Sequence, residues 1–271
     1  AEAQKPKIPR IGWLAVQPAS AAVMIESFQR EFRKLGYTDG KNVVFEYRHA
    51  EGKLDRLPAL AEELVRLKVD VLIAPNTPAA LALKNTTNTI PIVFIDVSDP
   101  IGAGLIDSLA RPGGNVTGFT TISSMLAGKR LELLKETVPK LARVAVVWNP
   151  QVPNAAQGWK ESQLPARELG LQLYSMEVSS ADKYDVAFKE AVKARIGALA
   201  FMVNPPNENR DVLLAHKYKL PTIHTTVGGV ERGGLMSYGA DRSESFTRTA
   251  VFVDKILKGT PPAEIPVERP M

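Results

Sequence analysis

Short apolar runs that lack a polar face alternate with helix-length segments along the whole chain, and this rhythm narrows the available folds more than any other feature. "RIGWLAV" (residues 10–16) is one such run, and residues 21–35 follow with Met24, Ile25, Phe28, Phe32 and Leu35 at helical spacing. Gly36 then stands where a helix stops. "NVVFEYR" is a second strand, residues 54–67 form a helix of period 3.6, and "VDVLIA" is a third strand. The pattern continues through "IPIVFIDV", "RVAVVWN", "LQLYSMEV", "GALAFMVN" and "LPTIHTT". A strand that is apolar on both sides needs cover on both sides, as in parallel sheets between layers of helices. The expected class is α/β, with parallel sheets and right-handed crossovers. At 271 residues the chain exceeds one typical domain.

Two stretches resemble each other and suggest two lobes. Residues 69–95 and 196–226 each contain an apolar strand ending in Asn-Thr-Pro or Asn-Pro-Pro, then a helix, then a Pro-led strand. Between the halves lies the glycine-rich segment "VSDPIGAGLIDSLARPGGNVTGFT". Its Asp99-Pro100 pair with Gly102 and Gly104 predicts a loop at a strand's carboxyl end, and "LIDSLA" predicts one or two turns of helix. "RPGGNVTGFT" then reads as a turn and a short extended passage into the second lobe.

Several chemistries are excluded locally. Gly102-Ala103-Gly104 falls short of a dinucleotide fingerprint, because Asp107 occupies the sixth position and would repel a pyrophosphate. There is no phosphate-binding G-x-x-x-x-G-K-[ST] loop and no nucleophile elbow. The histidines, His49, His216 and His224, are far apart in sequence, and the chain has no cysteine. Candidate carboxylates for acid–base work, Asp96, Asp99, Asp241 and Glu244, have capping or surface positions as their ordinary reading. The net charge of +5 is spread among acids along helical faces, so no nucleic-acid surface is expected. No apolar stretch reaches the roughly 20 residues that span a bilayer. The start "AEAQKPKIPRIGWLAV" reads as a mature end left by a signal peptidase, so export is expected.

Strand ends carry the positive signal. In open α/β sheets, ligands bind beyond the carboxyl ends of strands, where helix N-termini present N–H groups. Here those positions hold Gln17, Asn76-Thr77-Pro78, Ser98-Asp99, Asn149-Pro150, Asn204-Pro205 and Thr225-Thr226. Thr77 followed by Pro78 fits the start of a helix. Each alone is an ordinary cap or turn; together they suggest a cleft for a small molecule with charged or hydrogen-bonding ends.

The segments "PNTPAALALKNTTNTIPIVFIDVSDPIGAGLIDSLARPGGNVTGFT", "VAVVWNP", "GGLMSYGAD" and "VDKILKGTPPAEIPVE" resemble the ABC-transporter substrate-binding proteins of the tryptophan/phenylalanine-binding type. These are similar in fold to type I periplasmic binding proteins, and the likeness runs over about residues 8–268. It implies two Rossmann-like lobes with parallel sheets, joined by hinge strands and closing over a ligand. Lobe 1 is expected to comprise residues 1–118 and 240–260, and lobe 2 residues 119–239 and 261–271. Residues 116–120 would be the first crossover and 237–241 the second. The family pattern continues past "PVE" with a further strand and helix, from which this chain departs by ending at Met271. Carried over position by position, ligand contacts fall on Asn76, Thr77, Ser98, Asp99, Asn149 and Asn204, with Gln17 and Tyr238 beside them; Thr225 joins from the strand-end pattern. For an amino acid, the carboxylate would sit on N–H groups at the Thr77 helix start and the ammonium near Asp99 or another acid. Trp13 or Tyr238 would stack on the side chain, while packing is the ordinary role for Trp13, Trp148 and Trp159.

The function implied is that of an extracytoplasmic, periplasmic solute-binding protein of an importer, not an enzyme. Its ligand would be an aromatic or branched amino acid or an aromatic carboxylate. The implied partners are that small molecule and an ABC permease in the inner membrane, with no cofactor, no metal, no nucleic acid and no direct membrane insertion. A ligand-sensing domain of a receptor or regulator, and an enzyme on a doubly wound scaffold, are the alternatives.

Overall fold

The computed structural model describes residues 8–121, 125–152, 156–202, 209–239 and 243–269. The chain divides into two units, the first formed by residues 1–121 and 241–271 and the second by residues 122–240. In the first unit the order is β1 (Arg10–Ala15), α1 (Pro18–Lys34), β2 (Val44–His49), α2 (Leu57–Arg66), β3 (Val71–Ala74), α3 (Thr77–Thr86), β4 (Ile92–Val97) and β5 (Val116–Thr120). α9 (Ser243–Leu257) completes it. The second unit contains α4 (Ala127–Thr137), β6 (Arg143–Trp148), α5 (Ala156–Glu168), β7 (Gln172–Glu177), α6 (Tyr184–Lys193), β8 (Ala198–Phe201), α7 (Arg210–Tyr218), β9 (Thr222–His224), α8 (Val227–Glu231) and β10 (Met236–Ser237).

Both sheets are parallel and five-stranded, as expected of Rossmann-like units. Their orders are β2-β1-β3-β4-β5 and β7-β6-β8-β9-β10, so the second repeats the first strand for strand. A single 3₁₀ turn, Leu54–Arg56 or Ala181–Lys183, precedes the helix after the second strand in each unit. The resemblance between residues 69–95 and 196–226 is therefore the shared β3-α3-β4 and β8-α7-β9 step.

The continuous apolar runs follow from cover on both sheet faces. In the first unit Leu14, Leu72 and Phe94 pack with Leu60, Leu64 and Leu83 of α2 and α3. Their neighbours Ile11, Trp13, Ile73 and Val93 point the other way, against Phe28 of α1 and Phe252 and Val253 of α9. Alternate side chains thus serve two cores.

Four expectations are corrected. Residues 105–110 are not helical. Leu105 and Ile106 are both buried, and their amides donate to the Pro100 carbonyl (2.9 and 3.3 Å), while Asp107 N–H reaches the Pro112 carbonyl (2.8 Å). These bonds tie the segment into turns rather than successive i→i−4 bonds. Residues 119–121 stay with the first unit, because β5 pairs with β4 as far as Thr120. Residues 261–271 also belong to the first unit rather than the second. Ile265 and Val267 are buried in its two cores, Val267 N–H donates to the Leu109 carbonyl (2.8 Å), and Thr117 Oγ1 donates to the Ile265 carbonyl (2.7 Å). α1 also begins earlier than residue 21, at Pro18, whose fixed φ suits a first helical turn.

Candidate functional site

In the first unit, three neighbouring strands carry expected residues just past their carboxyl ends. Gln17 follows β1, Asn76-Thr77 follows β3, and Ser98-Asp99 follows β4, with β1-β3-β4 adjacent in the sheet. Asn76 is extended (φ −161°, ψ 168°) and caps α3, its Oδ1 accepting from Ala79 N–H at 3.1 Å. Pro78 has no N–H, so the cap and the proline leave the Thr77 amide and hydroxyl as the polar groups of that helix start. Thr77 is buried. Gln17 occupies the N-cap position of α1 without capping it through its side chain, whose amide lies against Gly52.

Asp99 is held by its own loop. Its Oδ1 accepts from Gly102 N–H at 2.8 Å, and its carbonyl accepts from Ala103 N–H at 3.0 Å. The other carboxylate oxygen lies over the Gly102 Cα, 2.1 Å from where a Cβ would stand, so a side chain there must displace the carboxylate. Lys84 of α3 ties down the far side of the loop through the Leu105 carbonyl (2.8 Å). Among the described residues, the carboxylate is held by this turn and by no ion pair.

In the second unit, Asn149 follows β6, Thr225 follows β9 and Tyr238 follows β10. Asn149 is buried and shapes its own turn, with Oδ1 accepting from Gln151 N–H at 2.9 Å. Asn204 lies outside the described residues. Thr225 is buried, whereas Tyr238 is 38% exposed. Tyr238 N–H donates to the His224 carbonyl at 3.0 Å, continuing the β9–β10 ladder past β10. At Gly239 a Cβ would stand 2.0 Å from the Thr225 carbonyl oxygen, so this position accepts glycine only. Gly239→Ala is expected to destabilise the second unit by about 1–3 kcal/mol, the usual cost of overpacking. Urea unfolding of the variant measures this, and an unchanged midpoint would show that the segment relocates freely.

Two further side chains bear on this rim and were not anticipated. Arg130 of α4 is fully buried, with Nε donating to the Tyr238 carbonyl at 2.7 Å and a terminal nitrogen 3.8 Å from Met202 Sδ. The signal was in the helix pattern, because Arg130 shares the inward stripe with Ala127, Leu131 and Leu134. His224 is also buried and stacks on Phe201 (4.6 Å between ring centroids, 5° between planes). Burial, with the Arg232 cation in second place, lowers its pKa to about 4, so the ring is neutral near pH 7. Its Nε2 lies 3.0 Å from Thr222 Oγ1, which also accepts from Leu235 N–H.

Trp13 does not line this rim. It is fully buried against the edge of Phe28 (5.8 Å) on the sheet face that α1 and α9 cover. Trp148 is bound to Ser175 through its indole N–H (2.9 Å), and Trp159 packs against the second unit's core. Of Trp13 and Tyr238, the two expected to stack on a ligand, Trp13 lies inside β1 and Tyr238 follows the carboxyl end of β10.

Among the described residues, no group of three or more His, Asp or Glu side chains is placed to hold a metal, and no helix is long and apolar enough to cross a membrane.

A family model for ABC transporter substrate binding proteins matches residues 15–271. A tyrosine-binding protein of Clostridioides difficile is 29% identical over 254 residues, covering 89% of this chain and 70% of the relative. Among solved structures, a conserved domain protein from Vibrio cholerae superposes with a TM-score of 0.91 at 28% identity, over 98% of this chain and 90% of the other. An ABC domain from Streptococcus pneumonia in complex with L-Trp gives 0.88 at 23% identity, over 97% and 89%.

Proposed function

Because the chain belongs to the ABC transporter substrate-binding protein family, whose members bind ligands rather than transform them, we propose that it captures a free aromatic amino acid outside the cytoplasm and delivers it to a membrane permease for import. The observation that carries the ligand class is the pairing on adjacent strands of a helix start and a carboxylate. Thr77 supplies hydrogen-bond donors that suit an α-carboxylate, and Asp99 supplies a fixed negative charge that suits an α-ammonium. Ser98 and Gln17 flank this pair in the first unit, and Asn149, Asn204, Thr225 and Tyr238 are the corresponding contacts in the second. The half-exposed Tyr238 ring favours an aromatic side chain over a branched one, since aromatic pairs gain about 0.5–1.5 kcal/mol beyond area burial. The tyrosine-binding relative and the L-Trp complex support the same class.

A thermal-shift panel of amino acids and aromatic carboxylates on ligand-free protein tests the proposal. L-Tyrosine or L-tryptophan at 100 times its Kd is expected to add about 2.7 kcal/mol of stability. If neither amino acid raises the melting temperature, the ligand class is wrong. Asp99→Asn keeps the acceptor for Gly102 N–H and removes the charge, so the loop should survive. Affinity should nonetheless fall by roughly 1.5–3 kcal/mol, the worth of a hydrogen bond to a charged group. Titration calorimetry reads that loss, and equal affinity removes Asp99 from the site.

A further inference from the structure

We infer that His49 is a specificity-determining contact in the first unit, donating a hydrogen bond from Nε2 to the phenol oxygen of L-tyrosine; this rests on the ligand reading above. The strand order marks the place. The sheet runs β2-β1-β3-β4, so the chain leaves β1 for β2 on one side and returns to β3 on the other. In open α/β sheets the crevice where the order reverses is the one that takes a ligand. Its two rims are the starts of α1 and α3, with Gln17 on one and Thr77 on the other. His49 ends β2 level with Ala15 of β1, two residues short of Gln17. It alternates with Phe45 and Tyr47, which pack on the face that α1 covers, and therefore stands on the Gln17 rim. The chain after it is tied to β1, with Ala50 N–H donating to the Ala15 carbonyl and Gly52 N–H to the Val16 carbonyl, both at 2.9 Å. These bonds set Gly52 against the Gln17 carboxamide.

The His49 ring has hydrogen-bonding capacity left over. Its Nδ1 is enclosed and has no hydrogen-bond partner, while the side chain as a whole is half-buried. Glu51 is the charge that acts on it, and that carboxylate is engaged by Arg56 at 2.6 Å. Burial outweighs Glu51 and lowers the His49 pKa, which leaves the imidazole neutral near pH 7. A neutral imidazole carries one N–H, and an enclosed orphan N–H is harder to accommodate than an enclosed lone pair. The proton therefore belongs on Nε2, the nitrogen that is not enclosed. Such a donor suits a ligand oxygen. The phenol of tyrosine accepts it, whereas the indole of tryptophan is a donor only and the ring of phenylalanine offers no polar atom. The span agrees, because strands about 4.8 Å apart put the end of β2 roughly 10 Å from the end of β3. With the ligand carboxylate at Thr77, that is the length of a tyrosine side chain plus one hydrogen bond.

The test uses the full chain, wild type and His49→Phe, with L-tyrosine and L-phenylalanine as one pair of probes and 4-hydroxyphenylacetate and phenylacetate as a second. Titration calorimetry should show the wild type binding L-tyrosine about tenfold more tightly than L-phenylalanine, the effect of one hydrogen bond. In His49→Phe that ratio should fall below about twofold through lost tyrosine affinity, while L-phenylalanine affinity changes by less than about twofold. The variant keeps a ring and removes an unpartnered atom, so its melting temperature should not drop. His49→Gln keeps a side-chain N–H and should restore part of the ratio. An unchanged ratio in His49→Phe overturns the inference, as does a wild type that ignores the hydroxyl in every pair it binds. If His49→Phe does not fold, His49→Leu is judged by the same ratio. The second pair of probes separates this inference from the reading beneath it. A His49-dependent hydroxyl preference seen only with the carboxylates sinks the amino-acid class and leaves the phenol contact standing. Binding of both amino acids without that preference sinks His49 alone, and binding of none of the four probes overturns both. Nitrogen NMR of the ligand-free wild type should place the imidazole proton on Nε2, and a proton on Nδ1 would overturn the donor role.

Discussion

Phe252→Ala is expected to destabilise the first unit by about 3–5 kcal/mol, the range for truncating a fully buried phenylalanine. Phe252 has no solvent exposure and sits 5.4 Å from Phe119 of β5, centroid to centroid. It shares a cluster with Ile11, Trp13, Val93 and Ile256, which unites strands from the start of the chain with a helix near its end. The void would open where α9 meets the sheet, so the surrounding side chains have rigid strands on one side and cannot collapse fully. Calorimetry should show the melting transition of the first unit falling by roughly 10 °C, at about 2–4 °C per kcal/mol. A loss below about 1 kcal/mol would mean that α9 is not the cover of this face.

Acidification is expected to weaken the second unit through His224. Its pKa is lowered to about 4 in the folded protein, chiefly by burial, against about 6.5 when unfolded. Between those values the unfolded chain binds a proton that the folded one refuses, so stability falls as the pH drops. The contribution is complete above pH 6.5 and is lost progressively as the pH falls to about 4, amounting to about 3 kcal/mol. Urea unfolding at pH 7, 5.5 and 4 measures the slope. His224→Gln removes the titrating ring and should flatten it, and an equal slope in that variant would place the acid sensitivity elsewhere.

The two sheets were legible in the sequence because their signal is local. A strand such as Val71–Ala74, buried on both faces, announces itself within four residues, and Asn76-Thr77-Pro78 announces the helix after it. The features that escaped depend on distant partners. "LIDSLA" has helix-compatible composition, yet its amides and carbonyls go to Pro100, Pro112 and, through Leu109, to Val267. Residues 261–271 contain nothing local that assigns them to either unit; the Thr117–Ile265 bond that decides it joins positions 148 apart. Trp13 lies one residue from Leu14, and only the pleat determines which of the two faces α1. Arg130 was readable as an inward position, but its partner Tyr238 lies 108 residues away.

The discontinuity of the first unit also sets an order of assembly. Its sheet is complete once Thr120 has been made, but α9 begins at Ser243, after all of residues 122–240. At about 5–20 residues per second that interval lasts roughly 6–24 s, during which Trp13, Phe28 and Phe119 lack the helix that buries them. The inserted unit can close its own cores before the outer one does. The earlier-made half of this protein is therefore the later to finish, its aromatic face uncovered until α9 has been made.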